Sequence, residues 1–316
     1  MTPGPAPTPT PAPARTPGPR RTRLVVGLSV GTALALAVAG TVAVHDRPGS
    51  GPRYVALGDS YTAGPLIPDQ IAAAGACQRS TNDYPHLLAA AIDAHSLTDT
   101  SCSGASPANV TLPQSIGTQT FAPQVDAVAA DTELVTIGLG ANDQNVFSGL
   151  IQGCVEVAAS DPGGSPCRDR FVVGEDDTVA DKLRTTQTQV EDAVRAVRAK
   201  APGADVVLVG YPRIVPADGS TCPQVLPFAE GDYGYVDQWE RELNSALRDA
   251  ASTTGASYAD TYTASKGHDA CAGDDAWITG ATSTSDSAAY HPNAAGMTGV
   301  AGIVAAYLRA HGLLHA

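Results

Sequence analysis

The stretch Tyr54-Val55-Ala56-Leu57-Gly58-Asp59-Ser60-Tyr61-Thr62-Ala63-Gly64 decides how the rest of the chain is read. Four apolar residues of strand length run directly into a turn bounded by two glycines. A buried strand that delivers a serine into such a turn exposes the hydroxyl at the C-terminal edge of a sheet, where α/β proteins place their chemistry. Ser60 is therefore a candidate nucleophile. Asp59 and Ser60 are also common helix caps, and this turn taken alone does not separate the two readings.

Two more buried runs end in the same way. Residues 97–102 lead to Ser103-Gly104-Ala105-Ser106, and the β-branched run at 133–139 leads to Gly140-Ala141-Asn142-Asp143. Further strands are expected at 205–210 (DVVLVG) and 256–258. Helical spacing fills the intervals. It appears at 84–95, with Asp83 as cap and Pro85 in the first turn, within 114–129, at 178–200 with Leu183, Val190, Val194 and Val197 on one face, at 236–253 and at 295–314. Strands alternating with helices predict one α/β domain with a parallel sheet between two helical layers. Residues 145–177, 211–235 and 261–290 read as long loops that form the walls of a site.

The chain of 316 residues is organised in three parts. Residues 1–23 hold eight prolines within the first 19 positions, a composition that cannot build a core and predicts disorder. Arg20, Arg21 and Arg23 then precede residues 24–44, which carry no charge, as an export signal does. Small residues at Ala37, Ala39 and Ala43 favour removal as a signal peptide; the same length suits a retained membrane anchor. Either outcome places residues 45–316 outside the cytoplasm, secreted or tethered through 24–44. Loss of residues 1–44 takes away four of the 19 basic residues and no acid, leaving 15 against 32 and a net charge of −17. Such a surface has no long-range attraction for nucleic acid or anionic lipid. The expected state is a monomer.

Six cysteines, Cys77, Cys102, Cys154, Cys167, Cys222 and Cys271, all follow the apolar segment, and an even number in an exported chain argues for disulfides. Six allow 15 connectivities. None forms a C-x-x-C pair and no H-E-x-x-H appears, so no metal and no organic cofactor is expected.

Near the end stands His291-Pro292-Asn293. Taken in order, Gly58-Asp59-Ser60, Gly104, Gly140-Ala141-Asn142-Asp143 and His291 resemble the four blocks of the GDSL family of SGNH hydrolases, over residues 54–314. The cysteine pattern is most similar to secreted actinomycete esterases and lipases of that family. The resemblance implies a flavodoxin-like three-layer α/β/α sandwich with a five-stranded parallel sheet. With loop economy, it also implies the pairing Cys77–Cys102, Cys154–Cys167 and Cys222–Cys271. It implies too that Ser60 and His291 are catalytic and that the backbone N–H groups of Ser60 and Gly104 and the Asn142 amide form an oxyanion hole. The chemistry asks for the same set, because a serine hydroxyl needs a base to take its proton and an acyl oxygen needs fixed donors as it gains charge.

One departure stands out. The family places an aspartate three residues before the histidine, and position 288 here is Ala. Asp286, five residues before His291, has the wrong offset. A Ser-His dyad is expected, with the carbonyl of Ala288 accepting from His291 Nδ1. His86, His95, His268, His311 and His315 stand in no motif. The expected function is hydrolysis of small-molecule or lipid carboxylic esters through an acyl-enzyme. The alternatives are a carbohydrate O-acetylesterase and a cell-surface binding module that keeps the fold without catalysis.

Overall fold

The computed structural model describes residues 49–314, so the proline-rich segment and the apolar segment at 24–44 lie outside the described residues. Five parallel strands form the central sheet: β1 (Arg53–Gly58), β2 (Ser96–Asp99), β3 (Leu134–Gly138), β4 (Asp205–Val209) and β5 (Ser257–Ala259), in the order β2-β1-β3-β4-β5. The sheet is the expected one, and side-chain alternation along it makes the three layers. Val55, Leu57, Val135, Ile137, Val206 and Leu208 face one core; Tyr54, Ala56, Leu134, Val207 and Val209 face the other.

Helices cover both faces. Chain order gives α1 (Ser60–Ala63), α2 (Tyr84–Ala91), α3 (Val146–Val157), α4 (Pro166–Phe171), α5 (Thr178–Lys200), α6 (Asp232–Thr254) and α7 (Ala294–Ala310). Leu183, Val190 and Val194 of α5 join Val236, Leu243 and Leu247 of α6 in the first core. Leu88 of α2 packs with Met297, Val300, Val304 and Leu308 of α7 in the second. Among the described residues no helix is long and apolar enough to cross a membrane.

Two stretches depart most from the sequence expectation, beside smaller differences: the strand expected over 97–102 is Ser96–Asp99 and partly exposed, the helix expected over 84–95 ends at Ala91, and the loop 261–290 opens with a helical turn, Thr261–Ala264. Residues 114–129 are not helical: Gln114–Ile116 pairs antiparallel with Gln119–Phe121, and a short 3-10 turn, Gln124–Ala127, follows. Gly117 has φ 58°, the left-handed conformation that closes a two-residue hairpin turn and that a helix interior excludes. The excursion at 145–177 is not all loop, since it contains α3 and α4. Its glycines and prolines hide a helical face of Val146, Leu150 and Ile151, all buried. Disulfides join Cys77 to Cys102, Cys154 to Cys167, which ties α3 to α4, and Cys222 to Cys271.

Glycine at the ends of β1 and β3 has a steric cause. A Cβ at Gly58 would lie 2.1 Å from Thr62 Oγ1, and one at Gly138 would lie 2.5 Å from the same atom. The helix that begins at Ser60 thus folds back directly onto paired strand ends, Gly58 opposite Gly138. The open edge of β1 beyond the short β2 is closed by Gln124, whose amide accepts from Gly58 N at 2.9 Å and donates to Gly58 O at 3.0 Å.

At the start of α2 the wholly buried Asp83 caps His86 N at 3.0 Å and meets His86 Nδ1 at 2.6 Å. Burial pushes Asp83 up to about 7; burial and the neighbouring Asp83 charge push Asp99 up to about 8. An acid whose folded pKa is raised binds its proton more tightly in the native state, so stability falls as pH rises towards that value. His86, shifted down by burial, acts in the opposite sense only below its ordinary value. Thermal unfolding followed between pH 6.5 and 8 should show Tm falling, and Asp99→Asn should flatten that slope and raise Tm at pH 8. A slope unchanged by Asp99→Asn would show that the proton is held elsewhere.

Candidate active site

The site stands at the C-terminal ends of β1, β2 and β3. Asp59 caps α1 through Oδ1, which accepts from Tyr61 N at 2.9 Å, while its own N–H donates to Gly138 O at 2.9 Å. The turn is therefore anchored to the end of β3, and capping and presentation of the serine are the same device. Ser60, the first residue of α1, is 8% exposed. Its Oγ lies 2.7 Å from His291 Nε2, although the two residues are separated by most of the fold in sequence.

His291 Nδ1 lies 2.7 Å from a backbone carbonyl, that of Ala289. This corrects the expectation for Ala288, whose oxygen instead accepts the backbone N–H of His291 at 3.2 Å. The reason is the turn. Residues 288–291 close with Tyr290 at φ 60°, the positive value that the third residue of a type II turn requires. In that arrangement the central peptide is flipped, and the carbonyl of Ala289 is the one presented to the ring. With Nδ1 facing an oxygen that only accepts, Nδ1 carries the proton and Nε2 is left as the base towards Ser60. Burial lowers the His291 pKa below its ordinary value, and the Ala289 carbonyl only partly offsets this.

Two aromatic rings, themselves in edge contact, pack against the imidazole. The ring centroids of Tyr61 and Phe147 lie 5.1 Å and 5.7 Å from that of His291. The Tyr61 hydroxyl donates to Tyr290 O at 2.5 Å, which ties the helix bearing Ser60 to the turn bearing His291. Asp286 accepts from Thr284 Oγ1 at 2.6 Å and stands exposed on its loop.

The remaining two blocks are joined to these by hydrogen bonds. Cys102 N donates to Gly58 O at 3.0 Å, and the chain then turns through Gly104 at φ 76°, a left-handed conformation suited to glycine. Asn142 Nδ2 donates to Ala105 O at 3.1 Å, which uses one amide hydrogen and leaves the second for a ligand. The Tyr211 hydroxyl accepts from Ala141 N at 3.1 Å and donates to Asp59 Oδ2 at 2.6 Å. Burial raises Asp59 to about 7, against the lowering effect of its donors Tyr211 and Tyr61.

Ser60 and His291 are thus in direct contact, and Gly104 and Asn142 are linked through Ala105. Sequence reading missed Tyr61, Phe147, Tyr211, Gln124 and Ala289. Tyr211 carried a usable signal, a polar aromatic just past the C-terminal end of a buried strand; Gln124 carried none. This arrangement suits acyl transfer: a hydroxyl on a base, a tautomer fixed by a carbonyl, and an Asn142 amide with one hydrogen still free.

Residues 56–298 match the model of the GDSL-like lipase/acylhydrolase family. The chain belongs to this family. It is 41% identical over 246 residues to Lipase 2 of Streptomyces coelicolor, covering 77% of this chain and 81% of that one. Among solved structures it is similar to a phospholipase A1 from Streptomyces albidoflavus, with TM-score 0.69 and 30% identity over 81% of this chain and 99% of that one. The extracellular lipase of Streptomyces rimosus gives TM-score 0.66 and 28% identity over 80% and 98% of the two chains. The family member described here is a carboxylic ester hydrolase of the lipase/esterase type.

Proposed function

We propose that the protein is an exported serine esterase that hydrolyses lipid or simple acyl esters through an acyl-enzyme formed on Ser60. The observation that carries this reading is the alignment Ser60 Oγ, His291 Nε2 and Nδ1, Ala289 O, with 2.7 Å at each end. His291 takes the hydroxyl proton as Ser60 Oγ bonds to the acyl carbon. The carbonyl oxygen becomes an oxyanion held by the N–H groups of Ser60 and Gly104 and the free hydrogen of Asn142 Nδ2. Collapse breaks the bond to the alcohol oxygen, which leaves with the proton from His291. Water, deprotonated by the same imidazole, then releases the acid and restores Ser60.

Two features shape the pair. The third partner is a carbonyl dipole rather than a carboxylate, so the ring is oriented without a buried negative charge. Its lowered pKa keeps His291 neutral, and hence competent as a base, below the ordinary histidine value. Export is supported by the basic and apolar N-terminal sequence, by three disulfides and by similarity to an extracellular lipase. The lipid or simple acyl substrate is supported by the names of the relatives, which are lipases and a phospholipase A1.

Hydrolysis of a p-nitrophenyl acyl series by oxidised protein lacking residues 1–44 is the test. Activity should extend to chains longer than acetyl, and the acid limb of kcat/KM should lie below pH 6.5. A sharp optimum at acetyl would transfer the assignment to a carbohydrate O-acetylesterase. An acid limb above 6.5 would contradict a neutral, buried His291.

A further inference from the structure

Tyr211 occupies a position that the reaction steps above do not use. It is 5% exposed, and its backbone is fixed from α6: Tyr211 N donates to Asn244 Oδ1 at 2.9 Å and Asn244 Nδ2 donates to Tyr211 O at 3.2 Å. Asn244 is itself buried and held by Glu240 O at 2.8 Å. The tyrosine is thus a post whose backbone is anchored to α6, while its ring packs edge-on against Tyr61 with centroids 5.2 Å apart. From that post its hydroxyl accepts from Ala141 N, next to Asn142, and donates to Asp59 Oδ2, next to Ser60.

The direction of these bonds follows from the groups. Ala141 N–H can only donate, so the phenol oxygen accepts there, and with Asp59 ionised its one hydrogen goes to Asp59 Oδ2. Burial holds the phenol in its protonated form, so it remains a donor. The other oxygen of Asp59 caps the helix that begins with Ser60. One chain of bonds, Ala141 to Tyr211 to Asp59 to Tyr61, therefore sets the spacing between the turn that carries the amide donor and the turn that carries the nucleophile.

We propose that Tyr211 is a positioning residue, whose hydroxyl holds Asn142 in register with Ser60 so that the oxyanion donors are set before substrate arrives. This rests on the esterase reading given above. Preorganised donors act only where the oxyanion forms, and a small displacement forfeits much of their effect. A tyrosine that merely packed would affect stability and leave turnover of the folded enzyme alone.

The test is a kinetic cycle of Tyr211→Phe, Asn142→Ala and the double variant on a p-nitrophenyl ester. Rates are taken per active site titrated with a phosphonate, and Tm is recorded beside them. Tyr211→Phe should lower kcat about 10- to 100-fold with KM within about threefold, and Asn142→Ala should lower kcat roughly 10²- to 10³-fold. The double variant should be within about threefold of Asn142→Ala, since a residue acting through Asn142 has nothing left to position. Losses that multiply overturn the proposal, as does a Tyr211→Phe enzyme with lowered Tm but kcat within twofold of wild type. Should Tyr211→Phe not fold, Asp59→Asn takes its place, because it removes the acceptor at the other end of the same bond. Ser60→Ala separates the two levels. If it is inactive while Asn142→Ala is unimpaired, the esterase reading stands and the positioning proposal falls; if Ser60→Ala stays active, the esterase reading itself falls.

Discussion

Replacing His291 by alanine should lower kcat for ester hydrolysis by about 10⁶-fold, the scale expected where a serine and its base act as one unit, with KM changed only a few-fold. Ser60→Ala should cost the same, and the double variant no more than either alone. The reasoning is local. With His291 removed, Ser60 Oγ has no hydrogen-bonded base among the described residues to take its proton, and a neutral hydroxyl is a poor nucleophile. Binding contacts to the acyl chain are left in place, which is why KM should hold. Asp286→Ala belongs in the same series and should stay within about twofold of wild type, since that carboxylate is exposed and engaged with Thr284. Kinetics of all four variants, with circular dichroism to verify folding, decide the matter. A loss of several orders of magnitude in Asp286→Ala would mean that a carboxylate reaches the ring and that the Ala289 carbonyl does not suffice to orient it.

The middle of the sheet was legible in the sequence because β1, β3 and β4 are buried on both faces, and such strands are written as short apolar runs punctuated by glycine; the edge strands β2 and β5 are partly exposed and carry a weaker signal. The turn after β1 and the turn after β3 were legible for a second reason: the proposed chemistry needs polar residues there, and they interrupt a pattern that burial makes otherwise uniform. His291 was legible by its motif, whereas the atom that orients it was not. The choice between the carbonyls of Ala288 and Ala289 depends on the sign of φ at Tyr290, and tyrosine does not announce a left-handed backbone. The contacts that join the blocks were hidden for another reason. Gln124 and Tyr211 act on backbone atoms far away in sequence, Gly58 and Ala141, and backbone partners leave no residue type to match. The hairpin at 114–121 was misread because Gln, Ser and Thr carry little periodic signal, so the one informative residue was Gly117.

Removing the Cys77–Cys102 bridge as Cys77→Ala/Cys102→Ala should cost about 3.5 kcal/mol of stability, from the entropy of a loop with sequence separation 25. Against a total of roughly 5–15 kcal/mol for a domain, that is a large share. At roughly 2–4 °C per kcal/mol for a domain of this size, Tm should fall by about 7–14 °C. The bridge also has a place in the site. Ser103 N donates to Cys77 O at 3.1 Å, Cys102 N to Gly58 O at 3.0 Å and Ala105 N to Cys102 O at 3.0 Å, so the turn that presents Gly104 is built on the bridged pair. Loosening it should lower kcat about tenfold at temperatures where the variant is still folded, because the proposed oxyanion donor Gly104 N–H becomes mobile. Cys154→Ala/Cys167→Ala is the matched control. Its sequence separation of 13 predicts a loss of about 3 kcal/mol, but it joins α3 to α4 and touches none of the proposed oxyanion donors, so kcat per active site should be retained. Thermal melts and titrated kinetics of the two variants separate stability from catalysis. If both lose stability and neither loses kcat, the Gly104 turn is held by its hydrogen bonds alone, and the bridge at Cys102 serves the fold rather than the reaction.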